Sequence, residues 1–337
     1  MNVDPAQFDA AIAKRTFTGV ATVDVADERT LERCGGYLHR AHRVPMTPDA
    51  RIGIASGGKG FTALAVMRLV EQGTLRLDQP ARVLLGDDLP LIDDAVTIEH
   101  LLTHTSGIGD YLDEESDWEP SDHVLSLPAH TLTTAEAFLP MLDGHPQAFA
   151  PGERFAYCNG GYMVLAVLLE RATGETYHQV VQRLVLEPAG LERTGFLPLN
   201  ALPGDAALGY IDSEGDLANT LHLPVLGNGD GGIFTTAADL HRFWLALLEG
   251  RIVARATVDE MIRPRHDVPD ERKRYGMGFW LHATHPALIL EGYDAGTSFR
   301  STHLVATQTT VSVLGNSSEG AWPVIGALAE AINTSLR

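Results

Sequence analysis

The strand-forming segments of this chain lie at its two ends, and that placement limits the possible folds more than any other feature. Near the amino terminus FTGVATVDVAD and TLERCGGYLHRA read as two strands joined near Ala26–Glu28, which predicts an antiparallel hairpin. Strand-like runs return only near the carboxyl terminus, as YGMGFWL, ALILEG, SFRSTHLVA and TTVSVLGNS, ahead of a last helix over 322–336. From about Leu75 to Asp230 the texture is different: loops rich in Pro, Asp and Gly separate helical segments at 97–104, 133–143, 160–173 and 176–190.

Further helices are predicted at 5–15, opened by Asp4-Pro5, and at 236–249 and 256–263. Another spans about 57–72, where Phe61, Leu64, Ala65, Leu69 and Val70 recur at helical spacing and Gly73 suits the stop. Strands at both ends with helices between them predict an α/β fold of the α+β type, an antiparallel sheet flanked by helices. Residues 1–75 and 231–337 would form one discontinuous sheet domain and residues 76–230 a mostly helical insertion, with the active site in the crevice between them.

Charge narrows the function. The 25 Lys and Arg against 44 Asp and Glu give a formal charge of −19 with no basic run, so nucleic acid and anionic membranes are repelled. Nothing approaches 18 consecutive apolar residues, and MNVDPAQFDAAIAKRTF lacks the basic and apolar regions of a signal peptide, which predicts a cytoplasmic protein. The two cysteines, Cys34 and Cys158, are too few for a disulfide framework.

Three short patterns carry chemistry. In Ser56-Gly57-Gly58-Lys59 the serine sits where the chain enters a helix and the lysine follows one turn later on the same face. A neutral amine there can take the serine proton, and the helix end favours the developing alkoxide. Ser and Lys three apart also arise by chance, and the same stretch reads Gly53-x-x-x-x-Gly58-Lys59, a phosphate-binding loop in which Gly60 replaces the hydroxyl needed for magnesium. In Tyr157-Cys158-Asn159, after the turn Pro151-Gly152-Glu153, both polar side chains can project onto a shared cleft. The tyrosine suits proton transfer and the asparagine suits holding a substrate amide or Lys59. His100 and His104 are four apart like a helical zinc pair, but Glu99 precedes the first and no third ligand follows.

Together these segments resemble the class C β-lactamase, DD-peptidase and esterase family of serine hydrolases, penicillin-binding-protein-like in fold. The resemblance is carried, in order, by TPDARIGIASGGKGFTALAVMRLVEQGTLRLDQP, VTIEHLLTHTSGI, PGERFAYCNGGYMVLAVLLERATG, GDGGIFTTAADLHRFW and RYGMGF, and spans about residues 16–335. It implies an acyl-enzyme mechanism without cofactor or metal: Ser56 as nucleophile, Lys59 and Tyr157 as a coupled base and acid, and Asn159 as substrate positioner. In the family LLTHTSG is a structural signature, so Thr103, His104 and Ser106 are expected to be turn and core hydrogen bonders.

A third family element, Lys or His, any residue, then Gly, aligns with Tyr293-Asp294-Ala295. Tyr293 cannot supply the charge of a lysine, so tight binding of a penicillin or peptide carboxylate is not expected; Arg300 reads first as a solvated strand-end arginine and, as the alternative, as a replacement for that charge. Ser56 and Gly296 are the expected oxyanion donors, since backbone N–H groups suffice, with Tyr293, Ala295 and Gly296 lining the substrate site. No Gly-x-Ser-x-Gly elbow surrounds Ser56. The expectation is a serine hydrolase acting on small esters or amides. β-Lactamase or D-amino-acid peptidase chemistry on the same site is one alternative, and a catalytically silent ligand-binding homologue is another.

Overall fold

A computed structural model of the protein describes residues 5–13, 17–26, 28–112, 122–212 and 214–335. Its centre is an eight-stranded antiparallel sheet. The strands are β1 (Gly19–Val25), β2 (Glu28–Gly35), β3 (His266–Val268), β4 (Lys273–Tyr275), β5 (Trp280–His282), β6 (Ala287–Asp294), β7 (Thr297–Leu304) and β8 (Thr309–Gly315). They lie in the order β2-β1-β8-β7-β6-β5-β4-β3. The two ends of the chain meet where β1 pairs with β8, from Gly19 opposite Gly315 to Val25 opposite Thr309. Among the described residues, 76–230 contribute no strand to this sheet.

The central strands are buried on both faces, which is why they read as continuous apolar and small-residue runs. Alternate residues serve two cores. Ala21, Val23, Val311 and Val313 face the terminal helices α1 (Pro5–Ile12) and α5 (Trp322–Ser335) with Phe8, Val324, Ile325 and Leu328. Val20, Leu314, Phe299 and Leu290 join the larger core against α2 (Lys59–Glu71), α3 (Asn159–Thr173) and α4 (Ala237–Leu248). Each such Val or Leu buried contributes about 1.5–3 kcal/mol before the entropy of ordering it is subtracted.

Several predicted elements differ from the structure: TLERCGGYLHRA is broken after Gly35, with Tyr37–His39 outside the large sheet, and the helix over 133–143 is observed only as the short turns Glu136–Phe138 and Leu139–Leu142. YGMGFWL is not one strand: the chain turns between β4 and β5, with Gly278 at φ +81°, a backbone region where side chains are rarely tolerated. The short strand β3 extends the sheet beyond β4 with no apolar run to announce it. The predicted helix over 5–15 is observed over Pro5–Ile12, and its residues 14–15 lie outside the described residues, as does residue 336 of the last predicted helix. Among the described residues no helix is long and apolar enough to cross a membrane.

Helix α2 sets the position of the site. Almost all of it is buried, from Lys59 through Leu69, because it runs between the sheet and α3. Its entry is a tight turn, Ala55–Gly58, tied to the rest of the fold by Ile54 N–H donating to the Ile233 carbonyl at 3.0 Å.

Candidate active site

Ser56 stands on that entry turn, half-buried, after a residue in unusual backbone geometry: Ala55 has φ +44°. Such a conformation costs about 1–2 kcal/mol for a residue with a side chain, so the surrounding packing must hold it. Gly231 supplies that packing, since a Cβ added there would lie 2.7 Å from the Ala55 carbonyl carbon and 3.1 Å from the Ser56 nitrogen. The GDGG segment therefore closes on the serine turn with bare backbone.

Lys59, 2% exposed, sends Nζ to three oxygens: Ser56 Oγ at 2.8 Å, Asn159 Oδ1 at 2.7 Å and the Asp230 carbonyl at 2.7 Å. Asn159 Oδ1 and a carbonyl can only accept, whereas the serine hydroxyl can also donate. When the amine is neutral, two of its N–H groups are taken by Asn159 and Asp230, and its lone pair is left for the Ser56 proton. The lysine of the glycine-rich stretch is thus engaged by protein oxygens around the serine, an arrangement unlike that of a phosphate-binding loop.

Tyr157 lies beside this pair, its ring centre 5.0 Å from Lys59 Nζ. The ring packs on His104 at 4.3 Å and nearly parallel to Trp280 at 5.9 Å. His104 also fixes the backbone on both sides of the tyrosine: its carbonyl accepts from Ala156 N–H at 2.9 Å, and Nδ1 accepts from Cys158 N–H at 3.1 Å. With Nδ1 accepting, the ring proton sits on Nε2, which faces Tyr275 Oη at 3.1 Å. Complete burial, with the Lys59 charge nearby, pushes the His104 pKa well below its usual value and keeps the ring neutral. His100 is occupied elsewhere, its Nδ1 accepting from Thr97 N–H at a helix start.

Asn159 opens α3, and its carboxamide spans Lys59 and the Leu112 carbonyl, to which Nδ2 donates at 3.1 Å. The start of α3 carries two acceptors. Cys158 Sγ accepts from Gly161 N–H at 3.3 Å, and burial raises the thiol pKa well above the ordinary value. Asp110 accepts from Asn159 N–H at 2.6 Å and Gly160 N–H at 2.7 Å. Burial raises the Asp110 pKa to about 6, although these N–H groups and the Lys59 charge oppose the shift.

Asp110 was not among the sequence candidates, because it caps a helix 49 residues further on. Removing it by Asp110→Ala is expected to lower the unfolding free energy by about 1–2 kcal/mol through the lost cap. The sign of its pH dependence follows from the raised pKa: the folded state holds this proton more tightly than the unfolded state. Its contribution is therefore full below the ordinary carboxyl pKa of 3.8 and declines until about pH 6. Urea unfolding of wild type and variant is expected to show a larger difference at pH 4.5 than at pH 7.5.

The third expected element requires correction. Ala295 and Gly296 form the turn between β6 and β7 and do not line the cavities at Ser56. Gly296 N–H donates to Ser318 Oγ at 2.9 Å, and the Ala295 carbonyl accepts from Asn219 Nδ2 at 2.9 Å. Gly296 is therefore not the second oxyanion donor. The strand residue pressed against the serine turn is Gly292, where an added Cβ would stand 2.1 Å from the Ile54 carbonyl oxygen and 2.9 Å from the Ser56 nitrogen. Tyr293, the next residue, does line the cavities on both sides of Ser56.

Arg300 does not supply a free charge either. It pairs with Glu291, which Lys273 also holds at 2.5 Å. Burial alone would raise the Glu291 pKa, but the two cations bring it below its usual value.

Two cavities meet at Ser56. One is a groove lined by Tyr157, His266, Asp267, Asp270, Glu271 and Trp280, together with Glu291 and Gly292. The other lies toward Asn159, Asn228 and Phe234.

A buried lysine aimed at a helix-entry serine, a tyrosine and asparagine from a second helix entry, and a strand edge against the serine turn define a serine hydrolase of the penicillin-binding-protein fold. The chain belongs to the beta-lactamase family, whose model matches residues 6–327. A penicillin binding protein from Bacillus halodurans, known from its crystal structure, is 33% identical with a TM-score of 0.89, over 96% of this chain and 99% of that one. Esterase EstB of Burkholderia gladioli is 36% identical over 218 residues, which is 62% of this chain and 54% of EstB. A D-aminopeptidase of Brucella anthropi is 29% identical over 226 residues, 66% of this chain and 41% of that protein. The matches thus span about half or less of these two curated relatives.

Proposed function

We propose that the protein hydrolyses small esters or amides through an acyl-enzyme on Ser56. The observation that carries this reading is the coordination of Lys59, which leaves one hydrogen-bonding direction of a neutral amine for the Ser56 hydroxyl. Ser56 Oγ attacks the substrate carbonyl carbon as its proton passes to the Lys59–Tyr157 pair. The tetrahedral oxyanion is met by Ser56 N–H and by the β6 edge at Gly292–Tyr293. The C–O or C–N bond then breaks, the leaving group takes the proton, and water attacks the acyl-enzyme by the reverse path.

Division of the chain at about residues 75 and 230 belongs to the same reading. The first and last parts supply Ser56, Lys59 and the β6 edge, and the middle part supplies Tyr157 and Asn159.

The groove beside Tyr157 disfavours anionic leaving groups. Asp267, Asp270, Glu271 and Glu291 line it, and Lys273 is paired with both Glu271 and Glu291 while Arg300 is paired with Glu291. An anionic leaving group, such as a peptide ending in a free carboxylate, would be repelled there. Esterase activity is accordingly placed ahead of β-lactamase or D-peptidase activity.

A fluorophosphonate is expected to give one adduct by intact mass, mapping to the peptide that contains Ser56. A penicillin is expected to label much more slowly. A stoichiometric adduct elsewhere, or none, would overturn the reading.

A further inference from the structure

Besides Ser56, Lys59 Nζ has two oxygen partners, Asn159 Oδ1 and the Asp230 carbonyl, and both are held from one short segment, residues 110–112. Asp110 accepts from Asn159 N–H at 2.6 Å and Gly160 N–H at 2.7 Å, which fixes the backbone of Asn159. The Leu112 carbonyl accepts from Asn159 Nδ2 at 3.1 Å, so the carboxamide turns its Oδ1 to Lys59. Between these two residues, the Tyr111 hydroxyl donates to Asp230 Oδ2. Leu112 N–H donates to Asp110 Oδ1 at 3.3 Å and closes the segment on itself.

Asp230 is thus gripped at two points, its carboxylate by Tyr111 and its carbonyl by Lys59 Nζ at 2.7 Å. It stands at the tip of a turn whose ends, Asn228 and Gly231, exchange hydrogen bonds of 2.8 and 3.1 Å. The neighbouring Gly229 carbonyl is taken by Thr62 Oγ1 at 2.6 Å, one turn along α2 from Lys59. Among the described residues, Tyr111 is the only side chain bonded to the Asp230 carboxylate. Burial first, and the nearby Asp230 charge second, push the Tyr111 pKa well above its usual value, so the hydroxyl keeps its proton and acts as the donor.

The two directions of the Lys59–Ser56 contact are not equivalent. A neutral amine with two N–H groups on Asn159 Oδ1 and the Asp230 carbonyl offers its lone pair to the Ser56 hydroxyl. If the Asp230 carbonyl moves away, an N–H turns to Ser56 Oγ instead, and the serine proton has no acceptor. Building on the reading of Ser56 and Lys59 as nucleophile and base, we propose that Tyr111 is a positioning residue for Lys59. By holding the Asp230 carboxylate it keeps the Asp230 carbonyl on Nζ; it acts through Asp230 and transfers no proton itself.

The test is a double-variant cycle of Tyr111→Phe and Asp230→Ala, read on p-nitrophenyl acetate hydrolysis and on the second-order rate of Ser56 labelling by a fluorophosphonate. Each single variant is expected to lower kcat and the labelling rate about tenfold, with KM within about twofold of wild type. The double variant is expected to be no slower than the slower single one, since both substitutions remove the same contact. Asp230→Asn keeps an oxygen for the Tyr111 hydroxyl and is expected to recover most of the loss seen in Asp230→Ala.

Wild-type kcat and labelling in Tyr111→Phe, losses that multiply to about a hundredfold in the double variant, or a change confined to KM would overturn the inference. If Tyr111→Phe fails to fold, the two Asp230 variants decide it, since equal losses in both would overturn it as well. Wild-type protein that neither hydrolyses acetate nor labels at Ser56 would instead remove the reading on which it rests.

Discussion

Ser56→Ala is expected to abolish turnover, lowering kcat/KM for p-nitrophenyl acetate by about 10³-fold or more, while leaving the melting temperature nearly unchanged. The loss is large because no other hydroxyl on the serine turn is presented to the Lys59 lone pair, and removing a nucleophile leaves only binding and oxyanion stabilisation. Stability should hold because the side chain is half-buried and its hydroxyl meets Lys59, which keeps two other oxygen partners. Parallel measurement of rate, melting temperature and fluorophosphonate labelling checks all parts. Full activity in the variant would show that another residue carries the reaction.

Lys59→Met is expected to lose about 10³-fold or more in kcat, with KM changed far less, because the methionine thioether cannot take the serine proton. Unlike Ser56→Ala, it should also destabilise the protein. Asp230 O and Asn159 Oδ1 would lose the donor they share, and each buried acceptor left unpaired costs about 1–3 kcal/mol. Lys59→Arg should not restore activity, since a guanidinium stays protonated and gives no lone pair. Kinetics and denaturant unfolding on the two variants separate the roles: both lose rate, and only the lysine variant loses stability. A Lys59→Arg enzyme with substantial kcat would contradict the lone-pair argument.

Much of this protein was legible in one dimension where the signal is local. The helix after Ser56 and the helix after Asn159 are written in apolar periodicity, and the Ser-x-x-Lys and Tyr-x-Asn spacings follow from one or two residues of backbone. The strands at both ends and helices between foretold an antiparallel sheet assembled from the two termini. The family resemblance then joined segments that spacing alone leaves separate.

What went astray was long-range contact. Two glycines, Gly292 and Gly296, stand four residues apart on the same hairpin, and nothing local says which is pressed against Ser56. The turn falls at Asp294–Thr297, so Gly296 is carried away to Ser318 while Gly292 stays under the serine turn. Asp110 and the Asp230 carbonyl were missed for the same reason, since one caps a helix far along the chain and the other acts through backbone. Arg300, read from the sequence as a solvated strand-end arginine or a replacement charge, is instead held by Glu291, a partner visible only once β6 lies beside β7.

The sequence by itself determined most of the elements and the family, and it points to Ser56 and Lys59 as the proposed nucleophile and base, because helix entry, periodicity and short spacing are properties of neighbouring residues. Tertiary structure alone decided which oxygens surround Lys59 Nζ, which strand edge lies against the serine turn, and which cavities open beside Ser56. Those depend on where distant segments touch, and sequence proximity carries no record of it.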